Sequence, residues 1–257
     1  MTIPVVSIIV PCYNAGKFLE RNLNSIISQS FVSKEVIIVD GLSTDNSHEI
    51  ARQFIKGNEY INWHSEKDNG VYDAMNKGIG LAKGEWIYFL GADDIFYNDH
   101  VLSEVFSREI SPQTGMIYGN VEFLYSKMIY NGEFDLKRIL LGGNICHQAI
   151  FYRKSVFQEL GLFDLNCKIY ADHDFNIRCF RNKKFNKQYI GTVIACYNEQ
   201  DGLSANVKND PVFREKQLQY LAEFNRKPLQ RLKIVYQQSR TALKQLLQSM
   251  KLIHGGN

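Results

Sequence analysis

Phe89-Leu90-Gly91-Ala92-Asp93-Asp94 is an apolar run that breaks at a glycine and delivers two adjacent carboxylates. Just upstream, Glu85-Trp86-Ile87-Tyr88 adds the aromatic and β-branched residues of an interior strand. Gly91 frees the backbone to turn, so Asp93 and Asp94 fall at the strand's carboxyl end. In an open α/β sheet that edge is where ligands bind. Neighbouring carboxylates repel and favour a compensating cation, although aspartate is also an ordinary turn residue. The choice between the two rests on what the remaining chain brings to the same edge.

Working outward, Val5–Val10 and Glu35–Asp40 are nearly continuous apolar runs, as expected of parallel strands covered on both faces. Pro11 ends the first, and Asn14 is positioned to cap a helix carrying Leu19, Leu23, Ile26 and Ile27. Gly41 permits a turn after the second, and Ser43-Thr44-Asp45 opens a helix with Ile50 and Phe54 on one side. A third strand is expected at Tyr60–His64, then a loop to Gly70 and a helix with Met75, Ile79 and Leu81, closed by Gly84. Strands alternating with helices on short connections predict an α/β domain, Rossmann-like, with a mostly parallel sheet and helices on both faces. Downstream, Met116–Leu124 reads as a strand whose hairpin continues towards Tyr130. Gly142–Gln148 is a glycine-bearing loop, followed by a strand at Ala149–Tyr152 and a helix from Lys154 to Leu160. Tyr170-Ala171-Asp172-His173-Asp174 leads into a segment with Phe175, Ile177 and Phe180, and a late strand covers Ile190–Cys196.

Composition sets the frame. The 257 residues are 45% hydrophobic and 22% charged, enough for a full core in an ordinary globular chain. The net charge of +3 argues for no nucleic-acid partner. Its distribution is uneven: from Arg226 onward there are seven basic residues and no acidic ones, leaving 23 basic and 27 acidic groups in residues 1–225. Cys12, Cys146, Cys167, Cys179 and Cys196 are odd in number, scattered and without a C-x-x-C pair, which fits reduced thiols in a cytoplasmic protein. The amino terminus lacks a basic signal-peptide region, and no apolar run approaches a bilayer's thickness.

The strand ends share one chemistry: Tyr13, Asp40, Asp68 and the Asp93–Asp94 pair. An aromatic face, several carboxylates and a metal suit a nucleoside diphosphate. The base could stack on Tyr13 and donate to Asp40, the ribose could donate to Asp93, and a cation on Asp94 would offset the diphosphate charge. No G-x-G-x-x-G follows the first strand and no P-loop occurs, which argues against NAD-type and triphosphate sites, and so against a nucleotidyltransferase.

Val6-Ser-Ile-Ile-Val-Pro-Cys-Tyr-Asn14, Val39-Asp-Gly-Leu-Ser-Thr-Asp45, Asp68-Asn-Gly-Val-Tyr-Asp-Ala-Met-Asn-Lys-Gly78 and Leu90-Gly-Ala-Asp-Asp94 together resemble family 2 glycosyltransferases, in order and spacing through the first half. The resemblance implies the GT-A fold and is nearest to the subgroup that builds O-antigen, capsule and other bacterial surface polysaccharides. It implies a donor site of Pro11, Tyr13, Asp40, Asp68, Asn76, Lys77 and Asp93 for a nucleotide sugar, with UDP as the nucleotide. Asp94 is implied as the ligand of Mn²⁺ or Mg²⁺, and His147 and Gln148 match a segment near the acceptor or the diphosphate. Two departures stand out: many relatives have two acidic residues where this chain has Asp40-Gly41, and the Asp-x-Asp metal motif is here an adjacent pair. The family's Glu-Asp-x-Asp motif is matched by Ala171-Asp-His-Asp174, so its Glu is absent while Asp172 keeps the base position. A sugar hydroxyl has a very high pKa, so transfer needs a base as the new bond forms. Asp172 could otherwise simply cap the helix that follows it. The rival to an active enzyme is a sugar-nucleotide-binding or scaffold protein that has lost activity. His173 has no assigned role.

Residues 1–207 are thus expected to form the glycosyltransferase domain, with the donor half at 1–120 and the acceptor half at 121–207. Residues 208–257 form a basic helical extension. In it Leu232, Tyr236, Leu243, Leu246, Met250 and Ile253 fall at three- and four-residue steps with Ser239 filling the one gap, and Lys233, Arg240, Lys244 and Lys251 lie elsewhere around the helix. Such a helix can pack on its own domain, on a second subunit, or on an anionic bilayer at the inner face of the plasma membrane, where a polyprenyl-diphosphate-linked acceptor would lie. Without a second lipid signal, membrane attachment should be weak and screened by salt. Sedimentation with anionic vesicles should therefore show binding that added salt releases; salt-independent binding would exclude the electrostatic part.

Overall fold

The computed structural model describes residues 3–130, 132–200 and 209–225. The uninterrupted apolar runs leave no side for water, and the strands they form lie inside one nine-stranded sheet. Strands β1 (Val6–Cys12), β2 (Lys34–Asp40), β3 (Ile61–Ser65) and β4 (Trp86–Phe89) alternate with helices α1 (Leu19–Ile27), α2 (Ser47–Ile55) and α3 (Val71–Leu81). β1 pairs in parallel with β2 and β4, and β2 with β3, which gives the local order β3-β2-β1-β4. The chain thus winds outward from β1 to β3 and returns to β1's other side. The crevice at the carboxyl ends of β1 and β4 is the topological switch point.

The second half is less regular than a mostly parallel reading implies. β5 (Ile95–Phe96), α4 (Val101–Phe106), β6 (Thr114–Phe123), β7 (Ile129–Tyr130), α5 (Leu136–Leu140), a 3₁₀ turn (His147–Ala149), β8 (Ile150–Arg153), α6 (Lys154–Leu160), α7 (Ala171–Arg181) and β9 (Asn186–Tyr197) follow in order. The sheet continues β4-β8-β6-β9-β5, with β8 antiparallel to β4 and β6, β9 parallel to β6, and β5 antiparallel to β9. β7 pairs with β6 as the expected hairpin. The sheet is therefore parallel from β3 to β4 and mixed beyond β4, a GT-A-like α/β fold. Helix α8 (Pro211–Phe224) is the last described element. The chain divides into units 1–213 and 214–257; of the second, only the remainder of α8 and Asn225 are described, so the amphipathic stretch at 232–253 lies outside the described residues.

Three boundaries differ from the sequence reading, each for a physical reason. β1 continues through Pro11 and Cys12, in register with Val39 and Asp40. Leu90 N donates to Ile9 O, so alternate residues 9 and 11 face β4, whose pairing stops at Phe89; Pro11 sits where no donor is needed. Asn14 does not cap α1, which opens at Leu19 behind Phe18. It adopts a left-handed backbone (φ 48°) and links two loops instead. Helix α3 closes at Ala82, not at Gly84. Gly84 lies against β1, where a Cβ would come 2.6 Å from Ser7 N.

A ring cluster fixes the second half to the first. Phe89 on β4 meets Phe157 of α6 and Phe163 edge-on, and Phe157 stacks on Phe175 of α7 with centroids 4.7 Å apart. Tyr152 of β8 packs edge-on against Phe175 at 5.3 Å. These contacts seat α7 relative to β4, the two elements that carry the key carboxylates. Close backbone approach matters as much at Gly84. Gly84→Ala should lower stability by about 1–3 kcal/mol through overpacking against β1. Gly80→Ala, in an open stretch of α3, should raise it by about 0.5–1 kcal/mol through helix propensity. Urea unfolding midpoints of the two variants check both signs.

Candidate active site

The turn after β4 is built by its glycine and clamped by α1. A Cβ at Gly91 would lie 2.6 Å from Asp94 Oδ2 and 3.0 Å from Asp93 Oδ1, so both carboxylates fold back over a residue that must be glycine. Asp94 N donates to Gly91 O, and Asn22 Nδ2 donates to Gly91 O and Asp94 O at 2.8 and 2.9 Å. Arg21 Nη2 adds a bond to Asp93 O at 2.9 Å. Asn22 is fully buried, and its Oδ1 has no hydrogen-bond partner among the described residues. An orphaned buried acceptor costs stability, here alongside an amide whose other end holds the turn.

Asp94 is only 1% exposed. Its Oδ1 accepts from Asn198 N at 2.8 Å and its Oδ2 from Gln148 Nε2 at 2.6 Å. Burial pushes its carboxyl well above the usual range, the neighbouring Asp93 adds to the rise, and the two N–H donors and Arg21 offset only part of it. A desolvated carboxylate beside a second one is short of positive charge. Among the described residues no group of three His, Cys, Asp or Glu side chains is placed to hold a metal. Two carboxylates fit Mg²⁺ or Mn²⁺, which characteristically take one or two protein carboxylates and complete their shell with phosphate oxygens and water. Each oxygen of Asp94 keeps a lone pair for that purpose.

A cavity of about 460 Å³ opens beside the turn. Its walls include Asp93, Asp94, His147, Gln148 and Asp172, together with the previously unassigned Tyr72 and Asn144. Asp172 lies in the first turn of α7, where Tyr170 holds the capping position without a side-chain cap bond; Asp172 is not the cap. Its Oδ1 accepts from Tyr72 Oη at 2.8 Å and its Oδ2 from Asn144 Nδ2 at 2.9 Å. Burial and the adjacent Asp172 carboxylate raise the Tyr72 pKa, so its hydroxyl stays a donor. Burial lowers the His147 pKa against the pull of Asp172, so a neutral imidazole faces the cavity. Gln148 turns towards Asp94, while its carbonyl accepts from Tyr88 Oη at 2.9 Å. His173 bonds Ile139 O at 2.9 Å and packs on Phe213, a structural role. Burial pushes the thiols of Cys12, Cys146 and Cys179 up to about 12, which leaves them protonated.

The other expected donor residues do not line that cavity. Tyr13 stands 65% exposed just past β1, with its ring free to stack. Asp68 packs over Gly41, where any Cβ would collide with its carboxylate. Asp40 is braced by neighbouring serines. It is 2% exposed; Ser43 donates to it through N and Oγ, and Ser65 Oγ donates to Oδ2 at 2.6 Å. Direct base contact would require a serine hydroxyl to turn away. Asn14 joins the same network: its N donates to Ser43 Oγ and its Oδ1 accepts from Thr44 N, both at 2.8 Å. Asn76 bonds both ways to the Phe163 backbone at 3.0 Å, and so ties α3 to the loop ahead of α7. Lys77 donates to Lys67 O and pairs with Glu66 at 3.5 Å. The positioning residues Tyr72, Asn144, Asn22 and Asn198 escaped the sequence reading. Tyr72 alone stood inside a quoted motif; uncharged amides carry no signal of their own.

A GT-A-like α/β fold with paired carboxylates at its switch point and a third facing the same cavity is an arrangement that suits a glycosyltransferase. Residues 7–161 match the model described as Glycosyl transferase family 2, and the chain belongs to that family. It is 43% identical over 210 residues to a PGL/p-HBAD biosynthesis glycosyltransferase of Mycobacterium bovis, covering 80% of this chain and 82% of the relative. It is 33% identical over 187 residues to glycosyltransferase GlyG of Streptococcus pneumoniae, covering 72% and 60%. Two solved structures share the fold. The S. aureus TarS fragment 1–349 with UDP-GlcNAc matches at TM-score 0.71 and 19% identity over 87% of this chain and 67% of that one. The Pyrobaculum calidifontis mannosyltransferase PcManGT with GDP-Man and Mn²⁺ matches at 0.63 and 18% over 86% and 63%.

The raised pKa of Asp94 has a consequence for the metal-free protein. A carboxyl whose folded pKa lies above its unfolded one stabilises below the unfolded pKa, and that contribution is lost as pH rises through the folded value. Asp94→Asn removes this loss and keeps an acceptor for Asn198 N. Its melting temperature should match the wild type in acid and exceed it increasingly towards neutral pH. Thermal unfolding across pH in a chelator checks the sign.

Proposed function

We propose that this enzyme is an inverting glycosyltransferase that moves a sugar from a UDP-sugar to a saccharide acceptor in bacterial surface-polysaccharide assembly. The observation that carries this reading is one cavity walled by both the Asp93–Asp94 turn and Asp172. Donor and acceptor chemistry can meet there, at the switch point of the sheet.

In this reading residues 1–120 bind the donor, with Tyr13 against the base and Asp93 towards the ribose. Residues 121–207 form the acceptor half, and 208–257 the basic extension. Asp94, with Asp93 beside it, would hold Mn²⁺ or Mg²⁺, which supplies Lewis-acid stabilisation of the departing diphosphate when bound. Support comes from two fold neighbours, one bound to UDP-GlcNAc and one to GDP-Man with Mn²⁺. His147, neutral, and Gln148 face the region between acceptor and diphosphate. Asp172, its two oxygens oriented by Tyr72 and Asn144, accepts the proton of the acceptor hydroxyl on a remaining lone pair. The hydroxyl oxygen bonds to the anomeric carbon from the face opposite the diphosphate, whose C–O bond breaks. One displacement inverts the configuration. An acceptor linked to polyprenyl diphosphate would place the enzyme at the inner membrane face, attached weakly through 226–253. No described helix is long and apolar enough to cross a membrane.

Two measurements test the assignment together. Thermal shift with UDP, GDP, CDP and dTDP, each with and without Mn²⁺, should show metal-dependent stabilisation by UDP; at about a hundred times Kd it amounts to ~2.7 kcal/mol. Asp172→Asn should keep that shift and lose turnover by about 10²–10⁴-fold, the usual share of a general base. Near wild-type transfer by this variant would remove Asp172 from the base role.

A further inference from the structure

The oxygens of Asp172 are held in different ways. Oδ1 accepts from the Tyr72 hydroxyl, which has a second acceptor in Ile169 O at 2.5 Å. Oδ2 accepts from Asn144 Nδ2, and behind Asn144 a chain of neutral groups runs inward. Asn176 Nδ2 donates to Asn144 Oδ1 at 2.9 Å and to Ile145 O at 3.3 Å, and Tyr152 Oη donates to Asn176 Oδ1 at 2.6 Å. Tyr152 and Asn176 are fully buried, while Asn144 is half-buried at the cavity wall.

The chain has a fixed direction. A backbone carbonyl only accepts, so Ile145 O sets the Asn176 amide with its nitrogen towards Asn144. The other end of Asn176 must then be oxygen, which suits the Tyr152 hydroxyl; burial raises the pKa of that hydroxyl and keeps its proton on. Facing a nitrogen, Asn144 presents Oδ1 inward and Nδ2 to Asp172. Flipping either amide would set donor against donor or acceptor against acceptor in a buried place, where unpaired polar groups are costly. The Tyr72 hydroxyl can rotate between two acceptors; the Asn144 amide has no such freedom.

We propose that Asn144 and Asn176, anchored by Tyr152, are positioning residues that hold the Asp172 carboxylate in the orientation needed to take the acceptor's proton. The inference rests on the reading of Asp172 as the base. It assigns a part in turnover to three uncharged residues outside the acidic motif and the metal turn. Displacement of a reacting group by about 1 Å can cost about 10²-fold in rate without weakening binding, so the effect should fall on kcat.

The test is steady-state kinetics with Mn²⁺, read as UDP release with the most active of UDP-glucose, UDP-galactose and UDP-N-acetylglucosamine, and octyl glycosides as acceptors. Asn144→Ala should lower kcat by about 10- to 100-fold, with both KM values and the melting temperature close to wild type. Asn144→Asp keeps the oxygen facing Asn176 but sets an acceptor against Asp172, and should lose at least as much. Tyr152→Phe keeps the ring packing and should lose a smaller part of kcat in the same pattern. Asn176→Ala should resemble Asn144→Ala; because it sits in the core, the Asn144 and Tyr152 variants decide the matter if it does not fold. With Asp172→Asn inactive, a kcat within about twofold of wild type for both Asn144 variants overturns the positioning role and leaves the base standing. Loss confined to KM or to melting temperature also overturns it, as a merely structural effect. An active Asp172→Asn overturns the base reading, and this inference with it.

Discussion

The structure turns on a carboxylate kept out of water. Asp94 is placed by the β4 turn, but its two oxygens are bonded by Gln148 from the 3₁₀ turn ahead of β8 and by the Asn198 backbone just past β9. Its carbonyl is held by Asn22 of α1. Segments from both halves of the chain therefore converge on one desolvated anion. Neutral N–H donors meet its hydrogen-bonding needs without cancelling its charge. Under the proposed function, Asp94 with Asp93 beside it would suit a divalent cation.

Asp172 is organised on the opposite plan. Its placement comes from the ring cluster that seats α7 against β8 and β4, and its orientation from hydroxyl and amide donors at both oxygens. No Lys or Arg side chain stands among the described residues lining its cavity. In the proposed mechanism the two carboxylates facing one cavity would differ in role through their surroundings: a desolvated pair suited to a cation for one, neutral bracing for the other.

The loops after β1 and β2 are shaped by backbone geometry and a local network. Asn14 and Leu42 both hold left-handed backbones, at φ 48° and 66°, in the loops after β1 and β2. For Leu42 that conformation costs about 1–2 kcal/mol. The bonds from Asn14 to Ser43 and Thr44, and from Ser43 and Ser65 to Asp40, are what keep these loops in place. Strain of this kind, held by a dense local network, is characteristic of ligand-binding loops.

Much of this was legible in residue order. Periodicity located β1 to β4 and α1 to α3, because strands buried on both faces must be apolar throughout; β5 and α4 were not read. The hairpin at β6–β7 and helix α6 were equally plain. The carboxylates were visible as charge placed where an apolar strand stops. Less legible were the antiparallel course of β8, the routes of Asn14, Asp40 and Asn76, and the amides behind Asp172.

By itself the sequence determined the α/β class, the order of the elements and which carboxylates stand at strand or helix ends, since these follow from local pattern and backbone sterics. Only the tertiary structure decided which of those groups share a cavity and which are bonded internally. It also set the direction of the chain from Tyr152 to Asp172. Hydrogen bonds between residues far apart in sequence obey distance and angle in the folded molecule. An asparagine that bridges two loops and one that braces a carboxylate look the same in the chain.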